Sequence, residues 1–463
     1  MKKTGKRKSY VYKLATLGIT AVVVLCMTVT ALLIPLRPSV SATEKRELAK
    51  FPKLTWSSLW NGSYFAGIST WFSDTVPFRD ALINANSKVQ HLMGTGRVQA
   101  GFNEGMAGDE IPDAPPSKDT KSGADTQPAQ TTAAASAAAV SAEATTAGAA
   151  EQETVKKSEE TGPAPAFEQL SSILVSGNAG FEYYNFVQST ADKYAAAVNR
   201  AASVLQGKAQ VYAMVIPTST GITLDPRIQS QISSSDQNKA TAYIEGSFDP
   251  SVKTVHIFDA LTAHKDEYIY FRTDHHWTEL GAYYAYVEFC KQKGVTPVEL
   301  KYCERRDFEG FLGSFYADSG HDPALGNTPD VVETYLPPAD ADITVTDSNG
   351  NTFTGDVIYD ANDSIPAYKY SAYIWGDNPF SDIHNKGKKT GESCLLIKES
   401  FGNAFAPMLV GEYEHVYVMD YRYCSKTVAQ LVDEYHINDV IFANNISMTR
   451  ADVLVDKLAA KIA

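Results

Sequence analysis

Two short stretches concentrate the reactive side chains of this chain. Tyr270-Phe271-Arg272-Thr273-Asp274-His275-His276-Trp277-Thr278 sets a carboxylate and two imidazoles at the junction between an extended segment and a helix. In extended backbone alternate residues share a side, so Asp274 and His276 are expected to point together while His275 and Trp277 point elsewhere. A carboxylate beside an imidazole fixes its tautomer and stabilises the imidazolium, which a general base acting on a hydroxyl requires. The same residues also fit a structural His–Asp hydrogen bond with Trp277 in the core, and this stretch alone does not separate the two readings.

The second stretch is Leu395-Leu396-Ile397-Lys398-Glu399-Ser400-Phe401-Gly402-Asn403, an apolar strand that ends in a serine and passes through small and polar residues into a helix. A serine on such a turn stands at the carboxyl edge of the sheet, where open α/β folds place their ligands and where helix N–H groups suit an oxyanion. Ser400 is therefore a candidate nucleophile. Gly402 permits close backbone approach, and the Asn403 amide offers a donor. The alternative is an ordinary serine N-cap; a lone Ser-x-Gly says little, and pairing with Asp274-x-His276 strengthens it.

Both stretches need a scaffold, and the rest of the chain supplies the pattern for one. From Phe167 onward strand-like and helix-like segments alternate. A helix from about Thr190 to Leu205 leads to the apolar run Val211 to Ile216, and a second helix from Thr278 to about Lys293 has Thr278 as N-cap. Strands at 394–397, 416–419 and 440–442 alternate with helical segments at 405–409, 426–435 and 450–462. That rhythm implies an α/β fold, a mostly parallel sheet covered on both faces. The stretch 343–373 breaks it: Asp347-Ser348-Asn349-Gly350-Asn351 between alternating residues suggests a β-hairpin inserted at one edge.

The ends of the chain have other tasks. Of 463 residues 44% are hydrophobic, enough for a large core, and the net charge is −13. Lys2, Lys3, Lys6, Arg7, Lys8 and Lys13 contribute +6, which leaves −19 (−13 minus 6) on the remainder, a poor partner for nucleic-acid phosphates or anionic lipid. Residues 14–36 carry no charge and match a bilayer crossing, so 1–13 reads as a cytoplasmic basic tail and 14–36 as an uncleaved signal anchor with the bulk outside. A cleaved signal peptide ending near Val40-Ser41-Ala42 is the rival, and it also exports the chain. Residues 44–105 read as a small segment docking on the main unit, and 109–165, rich in Ala, Thr, Ser, Glu, Gly and Pro, as a disordered linker that cannot bury enough apolar surface to order itself. Residues 167–463 form the main domain. Cys290, Cys303, Cys394 and Cys424 lie outside the membrane stretch, with pairings that spacing does not choose, and the absence of any CxxC argues against structural zinc.

Asp274-His275-His276-Trp277 with Gly281-Ala282, followed by Lys398-Glu399-Ser400-Phe401-Gly402-Asn403, resembles the bacterial DHHW-motif family, related to the SGNH-hydrolase-like proteins of alginate O-acetylation. The likeness extends to the anchor, to Glu47-Leu48-Ala49, to Trp71-Phe72-Ser73-Asp74 through Arg79-Asp80, and over most of 167–463. It implies an SGNH-like, flavodoxin-like three-layer sandwich in which Asp274, His276 and Ser400 are the catalytic groups, in the reverse of the usual SGNH order. Glu399 stands where an Asp is common.

The resemblance implies an anchored extracytoplasmic acyl-transfer enzyme, an O-acetyltransferase or acetylesterase, acting on a cell-envelope or secreted polysaccharide without a cofactor. It also implies an integral-membrane acyltransferase partner, since an acetyl group must cross the membrane. The backbone N–H groups of Phe401 and Gly402 with Asn403 are expected to receive the oxyanion, Trp277 and Tyr421 to stack on sugar rings if exposed, and Arg422 to hold an anionic sugar or order the cleft. Gly313 to Asp322 reads as a loop bordering the cleft. The rival functions are a catalytically silent polysaccharide-binding or scaffolding protein and, less favoured, a metal-dependent hydrolase built on Asp274, His275 and His276, whose neighbouring side chains would have to converge.

Overall fold

The computed structural model describes residues 40–41, 46–47, 50–54, 64, 71, 75, 108–112, 164–170 and 172–463. The basic tail 1–13, the expected membrane helix 14–36, nearly all of 44–105, and the low-complexity tract except 109–112 and 164–165 lie outside them. Among the described residues no helix is long and apolar enough to cross a membrane.

The main unit starts with a three-stranded antiparallel meander, β1 (Phe167–Leu170), β2 (Ile173–Ser176) and β3 (Ala179–Glu182). Helix α1 (Gln188–Val204) follows and buries Ala191, Tyr194, Ala195, Val198, Ala201 and Ala202, an apolar stripe at three- and four-residue spacing. Its flanking Val187 has no capping side chain. Asp109 does that work from a distance: its Oδ2 accepts the Gln188 N–H at 2.8 Å and its N–H donates to Phe186 O at 2.8 Å. Residue 109, read from composition as the start of the linker, is thus docked on the main unit, and Ile111 packs against the core beside it.

The central sheet contains β4 (Gln210–Ile216), the short β5 (Lys253–Thr254), the hairpin β8 (Ala341–Thr346) and β9 (Thr352–Asp356), then β10 (Phe380–Asn385), β11 (Ser393–Lys398), β12 (His415–Asp420) and β13 (Asp439–Asn445). The separate pair β6 (Glu304–Phe311) and β7 (Asp330–Leu336) is antiparallel. Strand order is β9-β8-β10-β12-β11-β13-β4-β5. The five strands from β12 to β5 are parallel, and the β9-β8-β10 end pairs antiparallel. The sheet is therefore mixed: a parallel centre extended by the edge hairpin and β10.

Side chains of the parallel strands alternate between two cores. Tyr212, Met214, Ile216, Cys394 and Leu396 join Trp277 and helix α3 (Glu279–Lys293) on one face. Val211, Ala213, Val215, Leu395 and Ile397 meet α1, α2 (Gln237–Gly246), α4 (Val428–Tyr435) and α5 (Asp452–Ala459) on the other. Burial on both faces explains why these strands read as continuous apolar runs. Cys290, Cys303, Cys394 and Cys424 are all free thiols, and only Cys303 is partly exposed.

Candidate active site

Strand β11 is central, with all six residues buried between β12 and β13, so its carboxyl end is fixed from both sides. The chain leaves it at Glu399-Ser400 and enters the short helix Gly402–Phe405. The Glu399 carboxylate lies under this turn and accepts N–H groups of Phe401 (3.0 Å) and Asn445 (2.5 Å). Burial raises its pKa, against those two bonds and the Arg422 charge. Gly402 packs so closely that a Cβ there would stand 2.4 Å from Lys398 Cβ.

The histidine stretch is a loop, and this corrects the expectation of simple alternation. A bridge between Tyr270 and Trp277 and the Phe271 N–H to His276 O bond (3.2 Å) close it. The buried Asp330 organises it from outside, accepting Thr273 N–H (2.7 Å), Thr273 Oγ1 (2.7 Å), Arg272 Nε (2.9 Å) and the Tyr268 hydroxyl (2.8 Å). Asp274 and His276 meet through a local turn in which Asp274 Oδ1 accepts the His276 N–H at 3.1 Å. His275 does not turn away: its ring lies 3.9 Å from that of His276, and its Nδ1 is 2.6 Å from Ser314 Oγ.

Within this frame Asp274 Oδ1 is 2.5 Å from His276 Nδ1, and His276 Nε2 is 2.7 Å from Ser400 Oγ. A carboxylate only accepts, so Nδ1 carries the proton and Nε2 presents its lone pair to the Ser400 hydroxyl. Asp274 Oδ2 accepts the Ser314 N–H at 2.7 Å. The preceding Gly313 has no substitute, because a Cβ would fall 2.2 Å from Asp274 Cβ and Oδ2. The His276 ring stacks on Tyr370 (4.0 Å between centroids, 14° between planes), and the Tyr370 hydroxyl donates to Ser400 O at 2.8 Å.

Several expected binding residues are engaged elsewhere. Trp277 and Tyr421 are fully buried and have no face for a sugar; Trp277 Nε1 instead donates to Phe401 O at 2.8 Å, tying the two stretches together. The Phe401 N–H is taken by Glu399 Oε2, the Gly402 N–H by Glu399 O, and the Asn403 amide donates to Asp377 Oδ1 at 3.0 Å. The Ser400 N–H has no acceptor among the described residues. The Arg422 guanidinium is committed to Asp420 and Asp377 at 2.6–2.9 Å, and Lys398 Nζ joins the same carboxylates at 3.0 and 3.2 Å. Although burial opposes ionisation, Lys398 and Arg422 hold the Asp377 carboxyl well below the usual range.

Tyr370, Asp330, Asp377 and Glu182 escaped the sequence reading, while Ser314, read only as part of a loop bordering the cleft, holds Asp274 and His275. Glu182, on β3, has a buried Oε1 without a hydrogen-bond partner among the described residues and Oε2 3.4 Å from Ser447 Oγ. Burial raises its pKa, opposed chiefly by His275. A charged residue in the aromatic run Phe181-Glu182-Tyr183 was the signal available. Ligand-capable atoms of Asp274, His275 and His276 converge within 4.8 Å, as the metal reading requires, and so do those of His384, Glu414 and His415. In the first group, however, Asp274 Oδ1 and the His276 nitrogens are already committed to one another and to Ser400.

The comparison with curated proteins found no match. Among solved structures, a DHHW family protein from Eubacterium siraeum is 26% identical with TM-score 0.59, covering 65% of this chain and 99% of its own. Bacillus cereus PatB1, solved with a sulfonyl adduct, is 19% identical with TM-score 0.52, covering 63% and 98%. The O-acetyltransferase domain of Pseudomonas putida AlgJ is 12% identical with TM-score 0.33, covering 64% and 99%. The family model described as DHHW protein matches residues 44–123 and 138–419, and the chain belongs to that family.

Proposed function

We propose that this chain is an SGNH-like acyl-transfer enzyme of the Ser-His-Asp type, held on the extracytoplasmic side of the membrane by residues 14–36. Its substrate is a cell-envelope or secreted polysaccharide and acetyl the favoured group. The observation that carries the reading is the relay from Asp274 through His276 to Ser400, with heavy-atom spacings of 2.5 and 2.7 Å. Ser400 Oγ attacks the acyl carbonyl while its proton passes to His276 Nε2. The tetrahedral oxyanion faces the uncommitted Ser400 N–H, and collapse expels the donor alcohol, which leaves with the proton from His276. A sugar hydroxyl then gives its proton to His276, attacks the acyl-enzyme and frees Ser400; water in its place gives hydrolysis. An integral-membrane acyltransferase supplying the acetyl group is part of the same proposal.

The test is turnover of an acetyl-ester reporter by the wild type, Ser400→Ala and His276→Ala, together with mass spectrometry after exposure to an arylsulfonyl fluoride. Activity confined to the wild type and an adduct on Ser400 are expected. Equal rates in all three proteins sink the acyl-enzyme mechanism.

A further inference from the structure

With Trp277 and Tyr421 buried, the segment after the edge hairpin offers partly exposed aromatic rings, Tyr359, Tyr368 and Trp375. Pro366–Ala372 is a 3-10 helix, and at three residues per turn Ala367, Tyr370 and Tyr373 share one side while Tyr368 and Ser371 share another. Tyr370 and Tyr373 are buried, and Tyr370 seals His276 and holds Ser400 O. Tyr368 and Ser371 line a cleft of about 380 Å³ whose other walls are Tyr359, Ser364, Ile365 and Trp375. The two sides of one slender helix therefore serve the reactive serine and this cleft.

The backbone holds Trp375 there under strain. The turn Tyr373–Gly376, closed by the Gly376 N–H to Tyr373 O bond at 2.9 Å, has Ile374 at φ 47° and Trp375 at φ 65°. A turn with both central residues left-handed ordinarily takes Asn-Gly; a β-branched residue and a tryptophan there are outliers of the kind found at ligand clamps. Trp375 is also braced against Tyr359 (4.5 Å) and Phe353 (4.9 Å), with Nε1 donating to Asp356 O at 2.9 Å. The ring is preorganised. The Tyr359 and Tyr368 hydroxyls have no hydrogen-bond partner among the described residues, and no residue lining the cleft carries a charge.

We propose that this cleft is a subsite for a neutral pyranose unit of the glycan substrate. Sugar C–H faces pack on the aromatic rings, and sugar hydroxyls bond the two phenols and the serines. An uncharged lining on a chain of net charge −13 disfavours uronate-rich polymers. The choice of ligand rests on the polysaccharide reading above, but the binding itself needs no acyl chemistry.

The test is calorimetric titration of the full chain with chitopentaose, cellopentaose and a mannuronate pentamer. At least one neutral oligomer is expected to bind, and the mannuronate is not. Trp375→Ala and Tyr368→Ala each weaken binding about tenfold, Trp375→Phe retains part of it, and Ser400→Ala binds like the wild type. Tyr368→Ala carries the test alone if Trp375→Ala fails to fold. The subsite is refuted by no binding of either neutral oligomer at millimolar concentration, by tighter binding of the mannuronate, or by undiminished binding in a folded cleft variant. Equal reporter turnover by wild type and Ser400→Ala removes the enzymatic reading and leaves these affinities standing.

Discussion

Replacing Lys398 with methionine tests whether the turn carrying Ser400 depends on the ion cluster beneath it. Lys398 Nζ lies 3.0 Å from Asp377 and 3.2 Å from Asp420, and the side chains of Lys398 and Asp420 are entirely buried. Arg422 reaches the same carboxylates at 2.7 and 2.6 Å, so two cations face two anions. Methionine keeps much of the aliphatic stem that packs on Gly402 and leaves one buried negative charge unbalanced. Breaking a buried pair by removing one partner costs about 3–5 kcal/mol. Asp377 retains 30% exposure, which screens its share, and Arg422 remains, so about 3 kcal/mol is expected. The sign with pH follows from Asp377, whose carboxyl is held below its ordinary 3.8 by Lys398 and Arg422 against the cost of burial. A depressed carboxyl contributes stability that is present above the unfolded value and lost as pH falls through the folded one. The deficit of Lys398→Met is thus full at neutral pH and narrows in acid. Urea unfolding at pH 7 and below pH 4 measures both numbers. A deficit under about 1 kcal/mol at pH 7, or one that grows in acid, would refute the assignment of the cluster as the support of this turn.

Asp274→Asn should lower kcat of the ester reporter about 10³–10⁴-fold. The Ser314 N–H and the His276 Nδ1–H both donate to Asp274, so an amide nitrogen set against either of them meets a donor, and against His276 Nδ1 it forces the wrong tautomer. Tyr370→Phe keeps the ring on His276 and deletes the bond to Ser400 O; one such bond is worth about 1 kcal/mol, so a fall of about fivefold in kcat/KM is expected, with Tyr370→Leu, which also removes the stacked ring, losing more. Glu182→Gln should be stabilising at neutral pH. Burial raises the Glu182 pKa above 4.5, so the folded wild type binds an extra proton and loses stability as pH rises through that range, and thermal melts of the two proteins should diverge in favour of the glutamine above about pH 4.5.

The parallel centre was legible because buried strands such as Val211 to Ile216 and Cys394 to Ile397 are apolar on both faces, and nothing else in an α/β chain looks like them. The hairpin at Asp347-Ser348-Asn349-Gly350 was legible for its turn chemistry, with Gly350 at φ 82°. Asp274, His276 and Ser400 stood out because reactive residues next to secondary-structure boundaries are few. Their supports did not. Asp330, Tyr370 and Asp377 act through contacts 21 to 62 positions distant in sequence, and nothing local distinguishes them from surface residues. The same limit misplaced the oxyanion donors: the local pattern marks Phe401 and Gly402 as N–H groups at a helix start, while the structure engages both through Glu399.

How the site is dried bears on the chemistry it favours. His276 retains 8% side-chain exposure and Asp274 1%, with Tyr370 across one face of the imidazole and Phe401 and Trp277 nearby. Low polarity strengthens the Asp274–His276 interaction and keeps stray water from the base. Under the proposed mechanism a sugar hydroxyl and water are rivals for the same acyl group on Ser400. Transfer and hydrolysis then compete, and the outcome is set by how long a sugar hydroxyl occupies the site. Under the same proposal a saccharide held on Trp375 and on Tyr368, of the helix whose Tyr370 bonds Ser400 O, raises that occupancy without touching the triad. Loss of the cleft should therefore shift the products from acylated glycan towards free acid, while loss of Ser400 abolishes both.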